Sequence, residues 1–172
     1  MDGQPGFAYV KERLFKILCP PVHVTPPPPD IVFERDLEVR VRDGTILRVN
    51  LFRPRSGGPF PVLMSAHPYG KDRLPPQFLG RRMVPPMYRI LRQTGSIRFS
   101  AWTGWEAPDP GYWTAQGYAV VNCDLRGFFR SEGRGALLSD QEAQDYYDLI
   151  EWAGGQPWSN GKVGLNGVSY LA

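Results

Sequence analysis

Gly167, Ser169 and Tyr170 form the stretch of the sequence best suited to covalent chemistry. Residues 163–166 read as a short strand that runs directly into them. A nucleophilic serine needs such a place, because a sharp turn at the end of a strand exposes its hydroxyl and the following helix N-terminus favours negative charge. Gly167 keeps the turn free of a Cβ clash. Alone the motif is weak, since the generic G-x-S-x-G pattern requires glycine where Leu171 stands, and an ordinary strand-ending turn is the alternative.

Composition favours one globular domain and excludes several function classes. The chain has 172 residues, and its net charge of +3 is spread along the sequence rather than gathered in a basic stripe, which argues against nucleic-acid binding. No signal-peptide core or membrane-length apolar run occurs, so we expect a soluble, cytoplasmic protein without a membrane partner. Cys19 and Cys123 cannot form a disulfide framework, and two histidines with two scattered cysteines do not make a metal site. No cofactor is expected.

The elements that would position Ser169 are a hairpin followed by a parallel βαβ unit. Alternating apolar residues at 37–41 and 47–51, joined by the turn at Asp43-Gly44, predict the hairpin. Residues 61–66 and 118–123 read as buried strands. A capping box at residues 139–142 begins a helix whose predicted buried positions are Ala143, Tyr146, Tyr147 and Ile150, and Gly154-Gly155 ends it. A turn at Asn160-Gly161 then returns the chain to the strand before Ser169, which gives an α/β fold with a mixed, mostly parallel sheet.

Two segments stand apart from this pattern. Residues 1–32 form an N-terminal arm with a short amphipathic helix at 8–19 and a proline-rich stretch, which we interpret as rigid and extended, with partner binding as the alternative. Residues 33–172 form the domain itself. Within it, residues 71–112 lose all periodicity but keep many aromatic residues, which favours a packed, loop-rich insertion near a pocket.

Several stretches together resemble one enzyme family, the cocaine esterase and X-prolyl dipeptidyl-peptidase (CocE/NonD) family of α/β-hydrolases. There the serine turn reads Gly-x-Ser-Tyr-x-Gly, so Leu171 is no departure and only Ala172 replaces a glycine. Similar stretches occur in the same order along residues 35–70 and 112–172: Asp43-Gly44 with Arg53-Pro54, Pro68-Tyr69-Gly70-Lys71, Gly117-Tyr118 with Asp124-Leu125-Arg126-Gly127, Ser131-Glu132-Gly133, and Asp145 through Gly164.

The resemblance implies an N-terminal part of an α/β-hydrolase domain and a set of site residues. Ser169 would be the nucleophile, and the Tyr69 hydroxyl and the Tyr170 backbone N–H would form the oxyanion hole, which needs two donors near the developing charge. Asp124 corresponds to a structural loop residue, which we expect to pair with Arg126 or to accept from local N–H groups. The implied reaction is hydrolysis of a small ester, amide or short peptide through an acyl-enzyme, and X-Pro dipeptidyl-peptidase activity is the alternative within that chemistry.

The catalytic acid and base are not assigned to any residue of this sequence. In this fold both follow the serine, as Asp or Glu and then His, whereas His23 and His67 precede it. His67 is interpreted as a partly buried loop histidine. We therefore expect these 172 residues alone to be inactive and marginally folded, with an open edge at the last strand. A non-catalytic fragment that serves as a binding module is the alternative from another class.

Overall fold

The computed structural model describes residues 6–18, 20–74, 77–78, 81–82, 95–104 and 106–171. The chain separates into two compact units, Met1–Thr25 with Pro75–Phe99 and Pro26–Leu74 with Ser100–Ala172. The second unit contains the central sheet and the candidate site. Within the predicted insertion at 71–112, residues 75–76, 79–80, 83–94 and 105 lie outside the described residues. The predicted boundary between residues 32 and 33 stays a prediction.

The first unit contains the N-terminal helix α1 (Phe7–Leu18), which confirms the helix predicted at 8–19, although none of its residues is buried. The strand β1 (Val22–Thr25) follows and pairs with β7 (Ile97–Ser100). This part of the stretch predicted as extended pairs as a strand, because the four residues between Pro21 and Pro26 are free of proline and keep their N–H donors. The short strands β5 (Gln77–Phe78) and β6 (Arg81–Arg82) pair with each other in antiparallel fashion.

The second unit opens with the predicted hairpin. Its strands are β2 (Ile31–Arg40) and β3 (Ile46–Pro54), paired in antiparallel register from Ile31 opposite Pro54 to Arg40 opposite Ile46. The turn is closed by a bond of 3.0 Å from the Thr45 N–H to Asp43 Oδ1 and by Gly44, whose φ of +89° suits glycine. The register shifts once, between Glu34 and Leu37, where Asp36 adopts a positive φ.

Three further strands complete the described sheet: β4 (Phe60–His67), β8 (Ala119–Asp124) and β9 (Ser159–Leu165). The strand order is β2-β3-β8-β4-β9, with β8 and β9 both parallel to β4 and the hairpin antiparallel to them. This confirms the predicted mixed sheet. All six residues of β8 are buried, as its apolar run indicated. Asn160-Gly161 lies inside β9 rather than before it, at an irregularity in the pairing with β4.

Helices cover both faces of this sheet. The helix α2 (Pro110–Ala115) was not predicted, although Asp109 as its N-cap and Pro110 at its first position are typical of a helix start. The helix α3 (Asp140–Gly154) begins and ends as predicted, with the Ser139 side chain accepting from the Glu142 N–H. Its buried residues are Asp145, Leu149 and Ala153. The predicted face was wrong at Ala143 and Tyr147, which are exposed.

The main core lies between α3 and the adjacent face of the sheet. Leu149 and Ala153 pack there against strand residues that are almost fully buried: Val39, Leu47, Val49, Leu51, Val62, Met64, Ala66, Val121 and Cys123. A smaller cluster of Ile31, Phe52 and Val120 lies apart from this core and packs against Trp102 and Trp113. The candidate site lies at the carboxyl ends of the parallel strands.

Candidate active site

The elbow, residues 167–170, forms the sharp turn that a nucleophilic serine requires. Ser169 begins a 3-10 turn (Ser169–Leu171) four residues after β9, with a φ of +61°. Before the turn, the Asn166 N–H donates to the Met64 carbonyl at 3.1 Å, so pairing with β4 continues beyond the end of β9. A positive φ is uncommon for a residue with a side chain, and such strain persists only where the surrounding structure imposes it. The Ser169 side chain is exposed.

Tyr69 lies at the same edge of the sheet as the elbow. It follows the last residue of β4 by two positions, and its backbone N–H donates to His67 Nδ1 at 3.3 Å. Because β4 and β9 are adjacent parallel strands, their carboxyl ends meet at one edge, and β4 also packs against the 3-10 turn. The structure thus brings Tyr69, Ser169 and Tyr170 to one region of the fold.

His67 differs from its predicted environment. It is the last residue of β4 and is fully buried, so the interpretation as a partly buried loop histidine was wrong. Burial, with a further contribution from the Lys71 ammonium, lowers the pKa of His67 to about 4. Its Nε2 atom has no hydrogen-bond partner among the described residues. A histidine that stays neutral far below pH 7 and already binds Tyr69 through Nδ1 is poorly suited to act as a general base.

An ionic cluster of the buried Lys71 and Asp124 with the more exposed Asp36 and Asp72 supports the loop that carries Tyr69. The Lys71 side chain is fully buried, and its Nζ lies 2.6 Å from Asp36, 3.0 Å from Asp72 and 3.4 Å from Asp124. Asp124 Oδ1 also accepts the Lys71 backbone N–H at 2.8 Å. Burial opposes the charge on Lys71, yet these hydrogen bonds and charges together raise its pKa. The sequence analysis missed this role of Lys71, because Asp36 and Asp124 lie 35 and 53 positions away in sequence and the adjacent Asp72 alone gave no signal for the cluster.

Asp124 has the structural role expected of it, but with a different partner. It accepts the backbone N–H of Lys71, which is 53 positions away in sequence, and burial raises its pKa. The predicted pairing with Arg126 is wrong, because Arg126 binds Asp145 at 2.7 Å and Asp43 at 2.9 Å. Arg126 thereby ties the hairpin turn to α3.

Tyr170 is fixed at both ends of its side chain. Its ring packs against the main core, and its hydroxyl lies 2.6 Å from both carboxylate oxygens of Glu142. Partial burial, followed by the hydrogen bond to Glu142, raises the pKa of Tyr170 to about 12. Sequence analysis identified Glu142 only as part of a helix cap.

A cavity of about 310 Å³ opens beside the Tyr69 loop. Gly70 and Phe129 form part of its wall, and both have positive φ values, +93° and +48°. A Cβ atom on Gly70 would lie 2.9 Å from the Phe129 ring, so the glycine is required by this close approach as well as by its φ. The other lining residues are Arg35, Asp72, Arg73, Asp124 and Arg130.

Among the described residues, no helix has the length and apolar character needed to cross a bilayer. No group of three or more His, Cys, Asp or Glu side chains in this part of the chain is arranged to hold a metal ion.

Comparison with known proteins connects this geometry to a family. A family model described as X-Pro dipeptidyl-peptidase (S15 family) matches residues 43–172. The cocaine esterase of Rhodococcus sp. (strain MB1 Bresler) is 36% identical over 133 residues, which cover 77% of this chain and 18% of that protein.

Solved structures give the same result. A CocE/NonD family hydrolase from Staphylococcus aureus superposes with a TM-score of 0.69 at 45% identity, covering 82% of this chain and 24% of that one. An α-amino acid ester hydrolase shares the fold, with a TM-score of 0.54 at 21% identity over 78% of this chain and 20% of that one.

The chain therefore spans about a fifth of the length of the relatives it matches. The predicted α/β-hydrolase fold and the predicted family resemblance are both confirmed. Three of the residues that carried the resemblance, Tyr69, Asp124 and Ser169, lie at or just beyond the carboxyl ends of β4, β8 and β9. On these grounds the chain belongs to the X-Pro dipeptidyl-peptidase (S15) family and is a relative of the CocE/NonD hydrolases.

Proposed function

We propose that the complete protein carrying these residues is a serine hydrolase of ester or amide bonds, with Ser169 as its nucleophile. The observation that carries the proposal is the positive φ of Ser169 at a turn that follows a parallel strand and lies next to the strand leading to Tyr69. This combination exposes a hydroxyl above the edge of the sheet, as nucleophilic catalysis on this fold requires. Membership in a hydrolase family supports the same reaction class.

In the proposed mechanism, Ser169 Oγ attacks the substrate carbonyl carbon while a general base takes the hydroxyl proton. The tetrahedral oxyanion accepts hydrogen bonds from the Tyr69 hydroxyl and the Tyr170 backbone N–H. Collapse expels the alcohol or amine, which receives the proton, and leaves an acyl-enzyme that water then hydrolyses. The pKa of about 4 supports the view that His67 is not this base, so we assign the base and its orienting carboxylate to residues outside this sequence.

An ester and an X-Pro amide would both be hydrolysed through the same acyl-enzyme mechanism. The relative named cocaine esterase favours an ester, and the family model named for X-Pro dipeptidyl-peptidases favours an amide. We propose the broader class, a small ester, amide or short peptide, as the substrate. Comparing kcat/KM for p-nitrophenyl acetate and for an X-Pro p-nitroanilide separates the two.

The test is steady-state hydrolysis by the complete protein and three variants. We expect Ser169→Ala to abolish turnover, and Tyr69→Phe to lower kcat by roughly a hundredfold to a thousandfold because one oxyanion donor is lost. Tyr112→Phe is the matched control, since Tyr112 is exposed on α2, and it should leave kcat unchanged. Turnover retained in Ser169→Ala would contradict the proposal. Turnover by the 172-residue chain alone would contradict the assignment of the base to other residues.

A further inference from the structure

Glu142 makes an unusually close contact with the residue that follows the proposed nucleophile. The Tyr170 hydroxyl has one proton to share between two carboxylate oxygens, each at 2.6 Å. Such distances are typical of a charge-assisted O–H···O⁻ bond, which is about twice as strong as a neutral one. Because Glu142 is the third residue of α3, this bond joins the start of a packed helix to the elbow.

The Glu142 carboxylate does not form the hydrogen bond that is expected of a capping box. In that motif the glutamate would accept the backbone N–H of Ser139. Here Glu142 Oε2 instead accepts the Leu138 N–H at 2.6 Å, and the Leu138 N–H also lies 3.3 Å from the Tyr170 hydroxyl. Glu142, Leu138 and Tyr170 therefore form one hydrogen-bonded group rather than an isolated helix cap.

Leu138 bears a conformational cost within this group. Its φ is +56°, which is unfavourable for a branched side chain, and the side chain is 88% exposed, so burial does not compensate for the strain. The short bond from its N–H to Glu142 is the interaction that offsets the strain. Strained backbone thus lies on both sides of this group, at Leu138 and at Ser169, a pattern that is common at functional sites.

We propose that Glu142 is a positioning residue, which holds the Tyr170 side chain through its hydroxyl and thereby fixes the Tyr170 backbone N–H for the oxyanion. This inference rests on the proposed function. The mechanism is indirect, because Glu142 is connected to the reaction only through Tyr170. With the ring packed on the core and the hydroxyl bound to α3, the backbone at residue 170 loses the freedom to rotate the N–H away.

The variants that test this are Glu142→Ala, Glu142→Gln, Tyr170→Phe and the pair Glu142→Ala/Tyr170→Phe in the complete protein. We expect Glu142→Ala and Tyr170→Phe each to lower kcat by about tenfold, less than outright loss of an oxyanion donor, with KM nearly unchanged. The pair should lose no more than either single variant, because both remove one bond. Glu142→Gln keeps an acceptor oxygen and should retain most of the activity.

Asp140→Asn is the matched control. It removes a negative charge from the same first turn of α3, but Asp140 is exposed and has no hydrogen bond to Tyr170. A purely structural role for Glu142 would lower thermal stability in Glu142→Ala and leave kcat at the wild-type value. That result, or losses in kcat that multiply in the double variant, would overturn the positioning role.

Amide hydrogen exchange of residues 168–171 separates this inference from the proposed function. We expect faster exchange in Glu142→Ala and Tyr170→Phe than in Asp140→Asn, whether or not substrate is turned over. If wild-type protein hydrolyses no ester or amide, the proposed function fails and the positioning role fails with it. If it turns over substrate while exchange and kcat are unchanged in the variants, only the positioning role fails.

Discussion

Replacing Lys71 by methionine should destabilise the protein strongly, because it removes the one cation that all three carboxylates of the ionic cluster share. The methionine side chain keeps most of the volume of the buried lysine stem, so the change isolates the charge. Asp36 and Asp72 retain other partners, Arg130 at 2.9 Å and Arg35 at 3.2 Å. Asp124 has only 2% of its side chain exposed, and Lys71 is its one salt-bridge partner among the described residues.

We therefore expect Lys71→Met to lower the free energy of unfolding by about 3 kcal/mol, near the lower end of the range for a broken buried ion pair. This free energy is measured by urea titration with tryptophan fluorescence. Lys162→Met is the control, since Lys162 is exposed on β9 of the same sheet and forms no ion pair among the described residues.

The loss of stability in Lys71→Met should depend on pH in a defined direction. Without Lys71, the pKa of Asp124 rises further above its unfolded value, so the folded state holds a proton that the unfolded state releases. Stability in the variant is then present below the unfolded pKa and is lost as pH rises. The deficit should be largest at neutral pH, and Asp124→Asn added to Lys71→Met should recover part of it. A Lys71→Met protein within about 1 kcal/mol of wild type at pH 7 would refute this reasoning.

Two further variants test the surroundings of Tyr69. Because the pKa of His67 is lowered to about 4 in the folded state, the stability it contributes is present above pH 6.5 and is lost as pH falls toward 4, by up to about 3 kcal/mol. His67→Asn should therefore flatten the stability–pH curve in that window, and an unchanged curve would contradict this reasoning. Gly70→Ala should cost about 1–2 kcal/mol from its positive φ and also lower kcat by displacing Phe129. Gly117→Ala, at a similar φ with open space around it, should cost similar stability and leave kcat intact.

Elements governed by short-range patterns were predictable from the sequence. The hairpin follows from alternating apolar residues and the Asp43-Gly44 turn, and α3 follows from its Ser139 cap and terminal glycines. β8 follows from the mostly apolar run at 118–123, all of whose residues within the strand are buried. Each of these signals lies within one continuous stretch of the sequence, which is the range over which local propensity and periodicity act.

Features that depend on distant partners were not predictable. His67 looked like a loop residue because it is polar and precedes proline, yet β4 extends to it because it pairs opposite Asp124 in β8. Arg126 binds Asp145 across nineteen positions rather than Asp124 nearby. β1 exists because β7 pairs with it, and a four-residue strand between prolines has too weak a pattern to be recognised alone.

The candidate site likewise combines features that were predictable from the sequence with features that were not. The turn at residues 167–170 was located from Gly167, Ser169 and the strand before them, whereas Tyr69 was identified only through the family resemblance. The contacts from Lys71 to Asp124 and from Glu142 to Tyr170 join residues 53 and 28 positions apart. Spacing in the sequence carries no information on such pairs.

The most direct test of the central claim is to locate the adduct formed by a fluorophosphonate probe. The complete protein should be incubated with the probe, digested, and analysed by tandem mass spectrometry. We predict one stoichiometric adduct on the peptide that contains Ser169, with none in Ser169→Ala and slower labelling in Tyr69→Phe. Absence of an adduct at Ser169 in active protein, or an adduct on a different serine, would contradict the assignment of Ser169 as the nucleophile.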